Sequence, residues 1–126
     1  MPNTVQEAKR YLDNAKEILR EKAKKEDGFY HDKKYVKLAG HAAYTGVLVA
    51  LDALFENKNK GRKNVEWYLE KIGRMDRKAL ASFNAAYDTL HLAMGYDGNT
   101  AADVSTAGIK LAESLINWVE TRTTVV

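Results

Sequence analysis

The chain has 126 residues, 45% of them hydrophobic and 29% charged, with one proline, Pro2; this fits one folded domain spanning 1–126 and excludes a disordered or fibrous protein. The lack of cysteine removes disulfides, thiolate metal sites and cysteine nucleophiles. The net charge of +3 is uneven, with 18 basic and 12 acidic residues in 1–78 but 2 and 5 in 79–126; this suits an anionic partner, although lysine-rich solvated helix faces are the commoner cause.

Thr4 and Glu7 have the spacing of a capping box, and Val5, Ala8, Leu12, Ala15 and Leu19 then recur at steps of 3 and 4. A one-faced amphipathic helix is predicted to end near Lys24 or Lys25, with Glu26-Asp27-Gly28 as its stop. The segment opens with no basic flank followed by an apolar run, so no signal peptide is expected and the cytoplasm is the expected location.

Asp32 is a suitable cap for the second helix, which runs to about Asn57 and is the most apolar stretch, with 11 of the 14 residues from Ala42 to Phe55 apolar. It is too short to span a bilayer and carries Asp52. Its only regular polar stripe is Lys34, Lys37, His41, Thr45, Leu48, Asp52 and Glu56, so protein should cover most of it. Either helix 3 or a second subunit should cover its second flank, and a twofold homodimer through Ala39, Ala43, Gly46, Val47, Ala50 and Leu54 is the favoured arrangement.

Residues Asn57 to Lys63 contain no apolar side chain and read as an exposed turn. Asn64 caps a short third helix ending at Gly73, and Asp76 caps a fourth, in which Leu80, Phe83, Tyr87, Leu90 and Met94 form the core line before Gly95. A fifth helix begins around Thr100 and Asp103, with Val104, Gly108, Leu111, Leu115 and Val119 facing inward and a frayed end from Glu120. No strand is expected. The predicted fold is all-α: an antiparallel up-and-down four-helix bundle with one additional short helix between helices 2 and 4.

Reactive apparatus is sparse. Asp88 and His91 are a lone Asp-x-x-His, better explained by an ion pair on the surface than by metal ligation, and no metal or cofactor is expected. His41 on the polar stripe reads as an ordinary boundary imidazole. In an up-and-down bundle the turn between helices 1 and 2 and that between helices 3 and 4 are expected to share an end. That would gather Lys33, Lys34, Lys37, Arg74, Arg77 and Lys78 with Phe29, Tyr30 and His31 into a patch for phosphates of RNA or a nucleotide. A merely solvated bundle end is the plainer explanation of the same residues.

Ala8 to Leu19 (AKRYLDNAKEIL) and Leu38 to Phe55 (LAGHAAYTGVLVALDALF) resemble the first two helices of the HEPN superfamily of small helical bundles. The resemblance implies a dimer built on these helices and either a metal-independent ribonuclease or a partner of a minimal nucleotidyltransferase. The superfamily's Arg followed after four to six residues by His is missing: counting on from Arg77 reaches Asn84. Asn cannot act as an acid or base, so the resemblance implies a non-catalytic module that binds a protein partner or RNA. A divergent ribonuclease using Arg77, His91 or His41 and a purely structural assembly protein are the alternatives.

Overall fold

The computed structural model describes residues 4–56 and 63–123. The chain is all-α in character, as the periodicities require, with helices α1 (Thr4–Glu17), α2 (Lys33–Leu54), α3 (Val65–Met75), α4 (Arg77–Ala86) and α5 (Ala102–Thr123). Two helices continue into wider π-type turns, α1 through π1 (Ile18–Lys22) and α4 through π2 (Tyr87–Tyr96). Among the described residues no helix is long and apolar enough to cross a membrane.

Local chemistry sets the starts of three helices where the sequence indicates. Asp32 accepts the Lys34 amide at 3.2 Å, Asn64 accepts the Trp67 amide at 3.0 Å, and Asp76 accepts those of Lys78 and Ala79 at 2.8 and 3.1 Å. Each satisfies N–H groups that the first helical turn leaves unpaired. The Thr4 side chain and all but Lys63 of the turn expected over Asn57 to Lys63 lie outside the described residues. Helix α5 stays helical through Thr123, so its last turn is not frayed as far as Glu120. The residues before it do not cap it as expected: the Ala102 amide donates to the Gly28 carbonyl, and the Asn99 side chain accepts from the Ala101 amide.

The stop expected at Glu26-Asp27-Gly28 is instead the turn of a small antiparallel hairpin, β1 (Lys25–Glu26) and β2 (Phe29–Tyr30). Asp27 and Gly28 have φ of 53° and 82°, the left-handed pair a two-residue hairpin loop needs. The hairpin is stitched to the segment before α5, because the Tyr30 amide donates to the Thr100 carbonyl at 2.8 Å and Phe29 bridges Ala101. No strand was expected here; the Asp-Gly pair serves a hairpin as readily as a helix stop.

Helix α2 lies at the centre. Eight of its residues are buried, and only Lys33, Lys34, Leu38 and His41 are exposed. Its Gly46 faces the Ala8 carbonyl of α1, while its Gly40 faces the Leu90 carbonyl and Gly95 amide of π2. Tyr68 of α3 donates to Asp52 at 2.7 Å, which ties the short helix over the far end of α2. Helix α5 closes the other side, its Glu113 and Glu120 paired with Lys16 and Lys9 of α1 at 2.6 and 2.7 Å.

These contacts overturn the residues expected to join two subunits. Ala39, Ala43, Val47 and Ala50 are 0% exposed within the single chain, and Gly46 is buried against α1. Leu54 alone stays partly open. The small residues admit the neighbouring helices of the same molecule, so another copy cannot reach them.

Candidate functional site

The basic residues expected to form one patch divide into two groups. Lys33 and Lys37 lie against Gly98, next to the start of α5. Arg74, Arg77 and Lys78 flank Asp76, which accepts the Trp118 indole N–H at 3.1 Å and the Arg122 guanidinium at 3.4 Å, both from the end of α5. The start of α5 at Ala102 and Trp118 near its end are thus separated by most of a 22-residue helix, roughly 24 Å at 1.5 Å per residue. The expectation set the turn between helices 3 and 4 at the same end as that between helices 1 and 2, but the 11 residues of α3 stay beside the end of α2. Lys33, Lys34 and Lys37 therefore share no surface with Arg74, Arg77 and Lys78.

What the hairpin builds is a cleft of about 470 Å³ between the end of α1, the hairpin and the beginning of α5. The size is within the range of small-ligand sites. Leu19, Tyr30 and Ile109 supply apolar wall. Burial raises the Tyr30 phenol above its ordinary pKa of 10.0, so it stays neutral and able to donate a hydrogen bond at physiological pH.

Cations surround these walls. Arg20, Lys25 and Lys110 are exposed, and Lys16 is half-buried in its pair with Glu113. The Arg20 Nε donates to Glu21 at 3.2 Å, an exposed pair of little energetic weight. Lys25 and Lys110 have no acidic partner among the described residues. The cleft thus presents positive charge to solvent over an apolar interior.

Among the lining residues is Ser105, 0% exposed, whose Oγ has no hydrogen-bond partner among the described residues. A buried hydroxyl left unpaired costs about 1–3 kcal/mol, so the position is disfavoured for stability alone. Sequence reasoning missed it, because Ser105 is one of several small residues in the first turns of α5. Its burial and isolation depend on the hairpin and on α1, both distant in sequence.

The remaining expected participants are scattered. His41 is exposed on α2, its ring against Gly95. His91 belongs to π2, stacked on Tyr87 and tilted against Tyr44 at 5.0 Å from each, with Nδ1 buried and unpartnered among the described residues. Arg77 precedes His91 by 14 residues, roughly 21 Å along the helix, so the two cannot act on one phosphate. Among the described residues no group of three or more His, Asp or Glu could hold a metal ion.

Residues 3–121 match the family described as Domain of unknown function (DUF5618). No curated protein matches the chain. Among solved structures, a protein of unknown function from Dyadobacter fermentans is 56% identical, with a TM-score of 0.89 over 94% of this chain and 95% of that chain.

Proposed function

The chain belongs to the family described as Domain of unknown function (DUF5618), and on that footing we propose that it is a non-catalytic, HEPN-like helical module that binds single-stranded RNA through the end carrying the hairpin. In this reading α1, α2, the α4–π2 helix and α5 form an antiparallel up-and-down four-helix bundle, with α3 as the additional short helix. The observation that carries the proposal is Phe29, 56% exposed beside the hairpin loop, with Lys24 and Lys25 exposed on the same connection and Lys33 and Lys34 exposed at the start of α2. An exposed ring among cations offers a base a stacking surface and the backbone a set of phosphate contacts. Of the local carboxylates, Glu26 lies 2.6 Å from the His31 imidazole and Asp32 caps α2, while Asp27 is exposed in the hairpin loop.

Two such modules form a homodimer in this proposal, meeting on the flank of α2 that the other helices leave uncovered, where Leu38 is 49% exposed. The separation of Arg77 from His91 favours binding over cleavage.

Fluorescence anisotropy with a labelled single-stranded RNA tests the proposal. Affinity should fall as salt rises from 50 to 200 mM, with a logarithmic slope of about −0.7 for every phosphate contacted, and the RNA should remain intact in chelator. Phe29→Ala should weaken binding by about fivefold or more with little change in slope, since stacking does not release counterions. Absent or salt-independent binding rejects the proposal, and cleavage would replace it with the ribonuclease reading.

A further inference from the structure

Exposure grades the lining of the cleft under the hairpin, from an unpaired buried hydroxyl through buried or half-buried apolar side chains to exposed cations. Ser105 is fully buried, Leu19, Tyr30 and Ile109 come next, and Lys25 and Lys110 are exposed. A ligand that satisfies all three has one hydrogen-bonding atom at its inner end, a ring-sized apolar body, and an anionic group at its outer end. We infer that the cleft is a binding site for a small aromatic monocarboxylate bearing one hydroxyl or carbonyl group opposite the acid.

Each part of that description answers an observed feature. The hydroxyl of Ser105 can donate or accept a single bond, so one polar atom at the inner end removes the penalty of leaving it unpaired. A nucleobase would bring several donors and acceptors beside Ser105, where Leu19 and Ile109 offer none and the remaining polar lining is Tyr30, Thr106, Glu113 and the cations. Unpaired buried groups of that kind penalise a ligand heavily. Glu113 occupies Lys16, which leaves Lys25 and Lys110 as cations without an acidic partner among the described residues. Two lysines across an apolar cleft suit one carboxylate better than a chain of phosphates, which would also meet Glu113.

This site goes beyond the RNA reading and stands or falls separately from it. The test is chemical-shift mapping and calorimetry on the full chain with three probes: 4-hydroxyphenylacetate, phenylacetate and adenosine monophosphate. The expected result is saturable binding of 4-hydroxyphenylacetate that perturbs Leu19, Tyr30, Ser105 and Ile109, with phenylacetate about five- to tenfold weaker, the usual effect of a buried hydrogen bond. Ser105→Ala should abolish that preference while still binding phenylacetate. This variant removes an unpaired group and keeps the helix, so it should fold. Lys25→Gln with Lys110→Gln should weaken both acids together.

Three outcomes overturn the inference. One is no perturbation of the cleft by either acid at millimolar concentration. A second is an unchanged preference for the hydroxylated acid in Ser105→Ala. The third is stronger occupation of the cleft by adenosine monophosphate, which would turn it into a nucleotide site and add to the RNA reading. RNA anisotropy on the same preparation shows whether that reading survives the loss of this one.

Discussion

Asp76 shows how much one side chain can hold. Its carboxylate accepts from the Ala79 amide, the Trp118 indole, the Lys78 amide and the Arg122 guanidinium, and these partners lower its pKa from the ordinary 3.8 despite some opposing desolvation. A depressed carboxylate pKa stabilises the fold above the unfolded value, and the contribution disappears as pH falls through the folded value. Asp76→Ala should therefore melt at a lower temperature than the parent at pH 7, and the gap should narrow as pH drops below about 3.8, followed by circular dichroism. Ser105 behaves in the opposite sense: replacing an unpaired buried hydroxyl with Ala inside α5 should leave the melting temperature unchanged or raise stability by up to about 1 kcal/mol. The capping role of Asp76 was legible because an N-cap and its amides lie within three residues. Its bonds to Trp118 and Arg122 cross 42 and 46 residues, and no local pattern could announce them.

At the scale of elements, close approach decides where glycine is needed. A Cβ on Gly40 would lie 2.7 Å from the Leu90 carbonyl oxygen and from Met94 Cβ, and 2.8 Å from the Gly95 nitrogen. Two of those atoms are backbone in π2, so neither can swing aside. Gly40→Ala gains roughly 1 kcal/mol of helix propensity but forces α2 and π2 apart at a typical overpacking cost of about 1–3 kcal/mol. The net expectation is destabilisation by up to about 2 kcal/mol, a fall in melting temperature of up to roughly 8 °C in a thermal scan. The sequence marks Gly40 as unusual in a helix but does not say which neighbour it admits. The hairpin was more readable than it was read: Asp-Gly at two positive φ values is a strong local signal, here overshadowed by its equal use at helix ends. The π2 segment left no such trace, because its residues keep the apolar spacing of an ordinary helix.

For the whole molecule, helix length decides which charges can cooperate. Periodicity revealed five helices and a central α2, since burial of an apolar stripe is a property each helix carries in its own sequence. It did not reveal that α3 stays beside the end of α2, and two basic groups expected together are held roughly 24 Å apart along α5. The separation gives a comparison that tests the RNA proposal at molecular scale. Neutralising Lys25, Lys33 and Lys34 to Gln removes three cations from the hairpin end, all exposed. Neutralising Arg74, Arg77 and Lys78 removes three from the opposite end, also exposed. Total charge changes identically in the two triple variants, so a general loss of positive potential would weaken RNA equally in both. A local site predicts a shallower salt slope, by roughly 0.7 for each phosphate no longer neutralised, only for the first variant. Equal effects from the two ends would show that attraction is diffuse and that the hairpin is not where the RNA sits.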